Sequence, residues 1–237
     1  MSSDQPQAGL AAIPPSSCYG RVMEDILSGH LAPGAKIELA DLMRRYFLSS
    51  GDLVAAIIRL AGDGLVALEG ASALRIAPVS VGDLEELTES RVFVDCEALR
   101  RSVRLGGAAW RHGVEDSFAR LSAMDHLSTG DDRVKIEAWE LLNHGFHAAL
   151  TAACPLGRLK AQGEHLYRQH ERYRRLLSGR RAIALDVHQE HEALAAAALS
   201  GDGDQAAALL ESHIRKSAAT LAAGIADGSW FGTAPLY

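Results

Sequence analysis

The chain changes texture near residue 80. From Tyr19 to Ser80 the apolar runs are short and densely punctuated. In "YGRVMEDILSGH" apolar residues recur at helical spacing and stop at Gly29. "LAPGAKI" reads as a turn around Pro33-Gly34. "ELADLMRRYF" and "GDLVAAIIRLAGDG" are two further short helices, the second closing near Gly62 and Gly64. "LVALEGASALRIAPV" sets two short runs either side of Glu69-Gly70-Ala71-Ser72, which predicts a β-hairpin. Three helices followed by a hairpin is the order of a winged helix-turn-helix.

"SVGD" at Ser80 to Asp83 has the form of a capping box and opens the second region. Beyond it the pattern is helical throughout, with breaks near Gly106-Gly107, Ser128–Asp132, Pro155, Ser178-Gly179 and Gly201–Gly203. About six Ala- and Leu-rich helices and no strand pattern predict an antiparallel all-α bundle. The expected fold is therefore mainly α, divided into a tail (1–17), a winged helix-turn-helix (18–80), an all-helical bundle domain (81–227) and a second tail (228–237).

Bulk composition narrows the function class. Hydrophobic content of 48% and charged content of 23% are those of a soluble globular protein. A net charge of −6 does not advertise a polyanion partner, so any nucleic-acid surface must be local. Cys18, Cys96 and Cys154 form neither a disulfide framework nor a metal knuckle and fit a reducing cytoplasm. No apolar run reaches the roughly 18 residues of a membrane span. The first seventeen residues lack a basic, apolar signal-peptide pattern. A cytoplasmic protein without a membrane partner is expected.

Two of the ten histidines fall in "LLNHGFHAAL". Asn143 and His147 are four apart and share a helix face. His191 and His213 each lie in register with the apolar residues of their own helices, so three imidazoles can face the bundle interior. Three neutral imidazoles plus one oxygen suit Zn²⁺ or a neighbouring divalent ion such as nickel. The other reading is a set of separate, hydrogen-bonded core histidines. His144 turns about 100° from Asn143, toward solvent, and His188 lies about 60° from His191. No carboxylate is spaced as a general base, Glu192 pointing elsewhere on its helix, so an enzyme is not expected.

These residues resemble the GntR-type transcriptional regulators with an all-helical FCD effector domain, over about residues 19–225. "ILSGHLAPGAKI" is similar to that family's opening I-x-x-G-x-L-x-P-G-x-x-L, and "DGLV" to the E-G-L-V before the wing. "ELTESRVFVDCEA" resembles E-x-R-x-x-x-E, and "NHGFHAAL" resembles D-x-x-F-H-x-x-L. "HEALAAAALSGDGDQAAALLESH" resembles the H-x-x-I-L-x-A-I-x-x-G-D segment with its final histidine. The resemblance implies a divalent metal on Asn143, His147, His191 and His213, with Arg91 binding a small carboxylate effector. It also implies a homodimer and a double-stranded DNA operator. Asn143 stands where the family has aspartate. A neutral amide ligates more weakly and leaves the metal one charge more positive, which strengthens its pull on an anion.

The DNA-reading helix departs further. "FLSSGDLVAAI" aligns with the family's G-V-S-R-x-P-V-R-E-A-L, so Ser50 and Val54 replace the two arginines. Neither can reproduce the bidentate reading of guanine. Residues 18–80 carry six basic against seven acidic side chains, a net of −1. Arg44, Arg45 and Arg75 remain as a local basic patch, and Ser49 and Ser50 with nearby amides as phosphate contacts. Two readings stay open: a regulator with altered operator reading, or a diverged sensor or dimerisation protein that has lost its operator.

Overall fold

A computed structural model describes residues 17–125, 133–178 and 185–226; of the expected tails, 1–17 and 228–237, all but Ser17 lie outside them. Contacts divide the chain into two units, Met1–Ala77 and Pro78–Tyr237.

The first unit holds α1 (Cys18–Leu27), β1 (Lys36–Glu38), α2 (Leu39–Tyr46), α3 (Ser50–Gly62), β2 (Val66–Glu69) and β3 (Ala73–Ile76). Ser17 caps α1 by accepting the Gly20 N–H, and Ser49 caps α3 by accepting the Asp52 N–H at 3.2 Å. The hairpin turns at Gly70, whose φ of 73° belongs to the left-handed region that glycine adopts without steric cost. Lys36 and Ile37, expected in a turn, and Glu38, expected in the helix after it, instead pair antiparallel with β3, giving the sheet order β1-β3-β2. Three residues after Pro33-Gly34 are too few to show an alternating pattern. Leu42, Leu53, Leu60, Leu74 and Ile76 close the core of this unit.

Between α2 and α3 the backbone turns at Phe47, with φ 53°. A non-glycine residue pays about 1–2 kcal/mol for that region, and Phe47 recovers none of it by packing, being 93% exposed.

The second unit is built from α4 (Val81–Leu105), α5 (Ala108–Asp125), α6 (Arg133–Thr151), α7 (Gly157–Ser178), α8 (Leu185–Ser200) and α9 (Gly203–Ala226). The six expected helices are present, and no strand occurs among the described residues of this unit. Ser80 caps α4, accepting the Asp83 N–H at 3.1 Å. The Asp83 carboxylate does not return to the Ser80 amide as a capping box would; it accepts the Tyr173 hydroxyl instead. Leu99, Val114, Leu121, Phe146, Leu150, Leu194 and Leu210 fill the main core. Leu84, Leu166 and Tyr173 fill a smaller cluster where α4 meets α7.

A sharp hairpin joins α8 to α9. Gly201 adopts φ 87°, stopping α8, and Asp202 accepts the Gln205 N–H at 2.9 Å, starting α9. Ala206 and Ala198 are fully buried here. Small side chains let the two helices run close together, and that closeness sets up what lies between them.

Candidate metal and effector site

Three helices deliver one imidazole each to the same point. His191 on α8 and His213 on α9 have ring centroids 4.9 Å apart. His147 on α6 lies 5.2 Å from His213 and 5.7 Å from His191. One nitrogen of each ring lies within 4.8 Å of the others. Phe146 closes the floor, its ring edge-on to both His147 and His191.

The outer nitrogens of two rings face carboxylates. His213 Nδ1 is 2.8 Å from Glu190 Oε2, and Lys216 Nζ donates to the other oxygen at 2.8 Å. Burial alone would raise the Glu190 pKa, but the bonds from His213 and Lys216 hold it at about 2. A carboxylate only accepts, so the His213 proton sits on Nδ1 and the Nε2 lone pair is free to ligate. His191 Nδ1 lies 3.6 Å from Asp125 Oδ2, beyond hydrogen-bond length. That carboxylate also receives Trp139 Nε1–H at 2.7 Å and faces His188 Nδ1 at 3.1 Å. His188, left open by its helical phase, therefore serves this outer layer.

Burial holds His147 well below its ordinary pKa, and charge on His213 or His191 would lower it further. Burial likewise brings His213 down to about 4 despite the Glu190 bond. His147 and His213 are thus neutral at pH 7, the form that binds a cation. Both nitrogens of His191 and Asn143 Oδ1 are buried without a hydrogen-bond partner. An unsatisfied buried polar atom costs about 1–3 kcal/mol. Each neutral ring keeps one N–H and offers one lone pair, and lone pairs turned toward one point are the arrangement a cation relieves. Nitrogens sharing one tetrahedral zinc at about 2.1 Å lie about 3.4 Å apart. From a spread of 4.8 Å the rings must therefore close on the ion by more than an ångström. The donor set fits a divalent metal.

Asn143 Nδ2 donates to the Tyr167 hydroxyl at 2.9 Å, and the Tyr167 ring lies 5.8 Å from His147. Tyr167 is in turn flanked by two guanidinium groups, Arg91 at 5.1 Å and Arg174 at 4.9 Å. Arg91 is buried and paired with Asp95 through Nε at 3.1 Å and Nη2 at 3.0 Å. Burial raises the Asp95 pKa by more than Arg91 lowers it. A Cβ on Gly163 of α7 would stand 2.8 Å from Asp95 Oδ1, so glycine is what lets α7 approach the pair. Arg174 donates two hydrogen bonds to Glu140, from Nε at 3.1 Å and Nη2 at 2.7 Å.

The structure thus brings His147, His191 and His213 together, with Asn143 one helical turn before His147 and bonded to Tyr167, and sets Arg91 on the Tyr167 ring that borders His147. His144, expected toward solvent, is half-buried with Nε2 2.7 Å from Glu164. Sequence reasoning missed Asp125, Glu190, Tyr167, His170 and Arg174. The last three sit at i, i+3 and i+7 on α7, a helical stripe whose polar composition conceals its inward face.

In the first unit, the residues expected at DNA are exposed but engaged. Arg44 pairs with Asp41, Arg45 with Asp25 at 3.1 Å, and Arg75 with Glu69 at 2.7 Å. Ser49 caps α3, its hydroxyl also donating to Asp52 at 2.6 Å, and Ser50 is exposed. The outer face of α3 shows Gly51, Val54, Ala55 and Ile58, with Val54 52% and Ile58 66% exposed.

Comparison with known proteins agrees with this architecture. The FCD domain family matches residues 86–216. The chain is 36% identical to the uncharacterized HTH-type transcriptional regulator BphR of Paraburkholderia xenovorans (strain LB400), over 84% of this chain and 81% of that protein. It is 27% identical to the HTH-type transcriptional repressor GlaR of Escherichia coli (strain K12), over 83% and 90% respectively. Among solved structures, E. coli McbR/YncC matches with a TM-score of 0.71 at 17% identity, covering 90% of this chain and 100% of that one, a likeness of fold.

Proposed function

The chain belongs to the GntR family of transcriptional regulators with an FCD effector domain, and from that premise we propose that it is a metal-assisted sensor of a small organic acid. Asn143, His147, His191 and His213 would hold a divalent cation, zinc by the nitrogen-rich donor set, with nickel the neighbouring choice. The cation supplies a fixed positive charge for a carboxylate. Arg91 contributes guanidinium N–H groups not used by Asp95, and Phe146 and Tyr167 exclude water. The observation that carries this reading is the convergence of three imidazole nitrogens within 4.8 Å, with those of His191 unpartnered.

As a regulator, the protein would act as a homodimer on a two-fold DNA operator. The effector would shift the population between two states by its differential affinity for them. Arg44, Arg45 and Arg75 are the cations available for phosphate contacts, each exchanging its present carboxylate for DNA. Genomic-fragment selection with the purified protein, at low and moderate salt, tests this. A palindromic site whose affinity falls steeply with salt, and is lost when Arg44 and Arg45 become alanine, supports the regulator.

A second reading is favoured by the apolar outer face of α3 and by the pairing of all three arginines. In it the winged helix makes protein contacts and no longer reads an operator. Absence of enrichment at any salt, from a folded protein, would establish it.

A further inference from the structure

Behind Tyr167 lies a second polar group that the metal site does not use. His170 on α7 is fully buried. Its Nδ1 stands 2.9 Å from Arg174 Nη1. A guanidinium has no acceptor, so Arg174 donates and His170 Nδ1 accepts. Burial, then the charges of Arg91 and Arg174, push the His170 pKa well below its ordinary value. The ring is neutral, so its one proton must be on Nε2. That nitrogen is buried and has no hydrogen-bond partner. Here, then, is an N–H donor of fixed tautomer, clamped by an arginine that is itself fixed by Glu140, with no acceptor among the described residues.

Contacts run continuously from this group to the triad. Arg174 lies over Tyr167, and Tyr167 borders His147 and bonds Asn143. Arg91 and His213 are among the groups whose charge reaches His170. One aromatic ring and one guanidinium thus separate the unpaired N–H from the carboxylate-binding end.

We propose that His170 is the second anchor of the effector, its Nε2–H donating to an oxygen at the end remote from the carboxylate taken by the triad and Arg91. The site then selects an acid with a second oxygen acceptor, a hydroxyl, keto or carboxylate group, over a plain alkanoate of the same length. This inference rests on the carboxylate-sensing reading above. A single hydrogen bond to a buried donor contributes about 1 kcal/mol net when neutral and up to about 3 when charged, so discrimination of about 5- to 150-fold is expected.

The test is calorimetric titration of the zinc-loaded full chain with butyrate and with three acids of equal length, succinate, 3-hydroxybutyrate and acetoacetate. Wild type should bind at least one of the three about 10-fold more tightly than butyrate. His170→Leu should abolish that preference and leave butyrate within about 2-fold, while His170→Gln, which keeps an acceptor and a donor, should restore most of it. Ring-nitrogen NMR should show His170 as the Nε2–H tautomer, its signal moving with the preferred acid and not with butyrate. Equal loss for all acids in His170→Leu would make the residue merely structural and overturn the inference. No change for any acid would mean that bound water alone satisfies the donor, with the same consequence. If zinc-loaded wild type binds no acid at all, the carboxylate reading itself falls, and this inference with it.

Discussion

Glu190 offers the sharpest examination of the triad, because it touches no metal and should nevertheless govern how tightly one is held. Its carboxylate fixes the His213 proton on Nδ1 at 2.8 Å and is itself braced by Lys216. Glu190→Ala frees the ring to rotate and to exchange tautomers. Loss of such an outer-layer partner costs about 10- to 100-fold in metal affinity, equivalent to about 1.4–2.7 kcal/mol. Glu190→Gln keeps an acceptor and loses the charge, so its deficit should fall between wild type and alanine. Metal-free stability should change much less, since the Glu190 and His213 side chains are 18% and 13% exposed, and water can replace part of the bond. The assay is competition for zinc against a chromophoric chelator, with circular dichroism to confirm helicity. If folded Glu190→Ala retains zinc within about 2-fold of wild type, His213 is not a ligand oriented in this way.

Other elements carry their own expectations. Gly163→Ala should displace Asp95 and with it Arg91, weakening carboxylate binding while zinc binding, measured separately, stays within about 2-fold. Glu140→Gln leaves Arg174 without its buried counter-charge and should lower stability by about 3–5 kcal/mol, read by urea denaturation. Ser80→Ala removes the α4 cap and should cost about 1 kcal/mol, by the same measurement. Burial pushes the Cys96 thiol up to about 11 from 9.0. The folded state therefore holds this proton more tightly than the unfolded chain, its contribution being complete below pH 9 and lost as pH rises toward 11. At pH 8, native Cys96 should alkylate far more slowly than in the denatured protein, as mass spectrometry of the labelled peptide would show.

How far the sequence foretold this arrangement depended on which contacts are local. His147, His191 and His213 follow the apolar period of their helices, so their inward direction was legible; their meeting depends on the α8–α9 hairpin, which the glycine and aspartate at 201–202 signalled. Asp125 and Glu190 could not be paired in advance, because each meets its histidine across a helix boundary where spacing carries no information. Tyr167, His170 and Arg174 were hidden differently: an inward stripe of a tyrosine, a histidine and an arginine scores as a solvated helix face. Lys36–Glu38 was missed as a strand because it is brief and follows a turn. Arg91 was anticipated as a carboxylate-binding residue; its pairing with Asp95, one helical turn on, is local enough to read from the i, i+4 spacing.

Trp139 has a use beyond packing. It shares the Asp125 carboxylate with His188, and its ring lies 6.4 Å from His191. Trp110 instead donates to backbone oxygens of Ala149 and Leu150 at the far end of α6. Any event that tightens or reorients His191 alters the electric field on the Trp139 indole and leaves Trp110 as an internal reference, once Trp230, the third tryptophan, is replaced by phenylalanine. Such a variant would be an optical gauge of the proposed cation. Emission from Trp139 should report cation binding directly, and a paramagnetic substitute such as Cu²⁺ should darken that indole selectively, with no label and no knowledge of the operator.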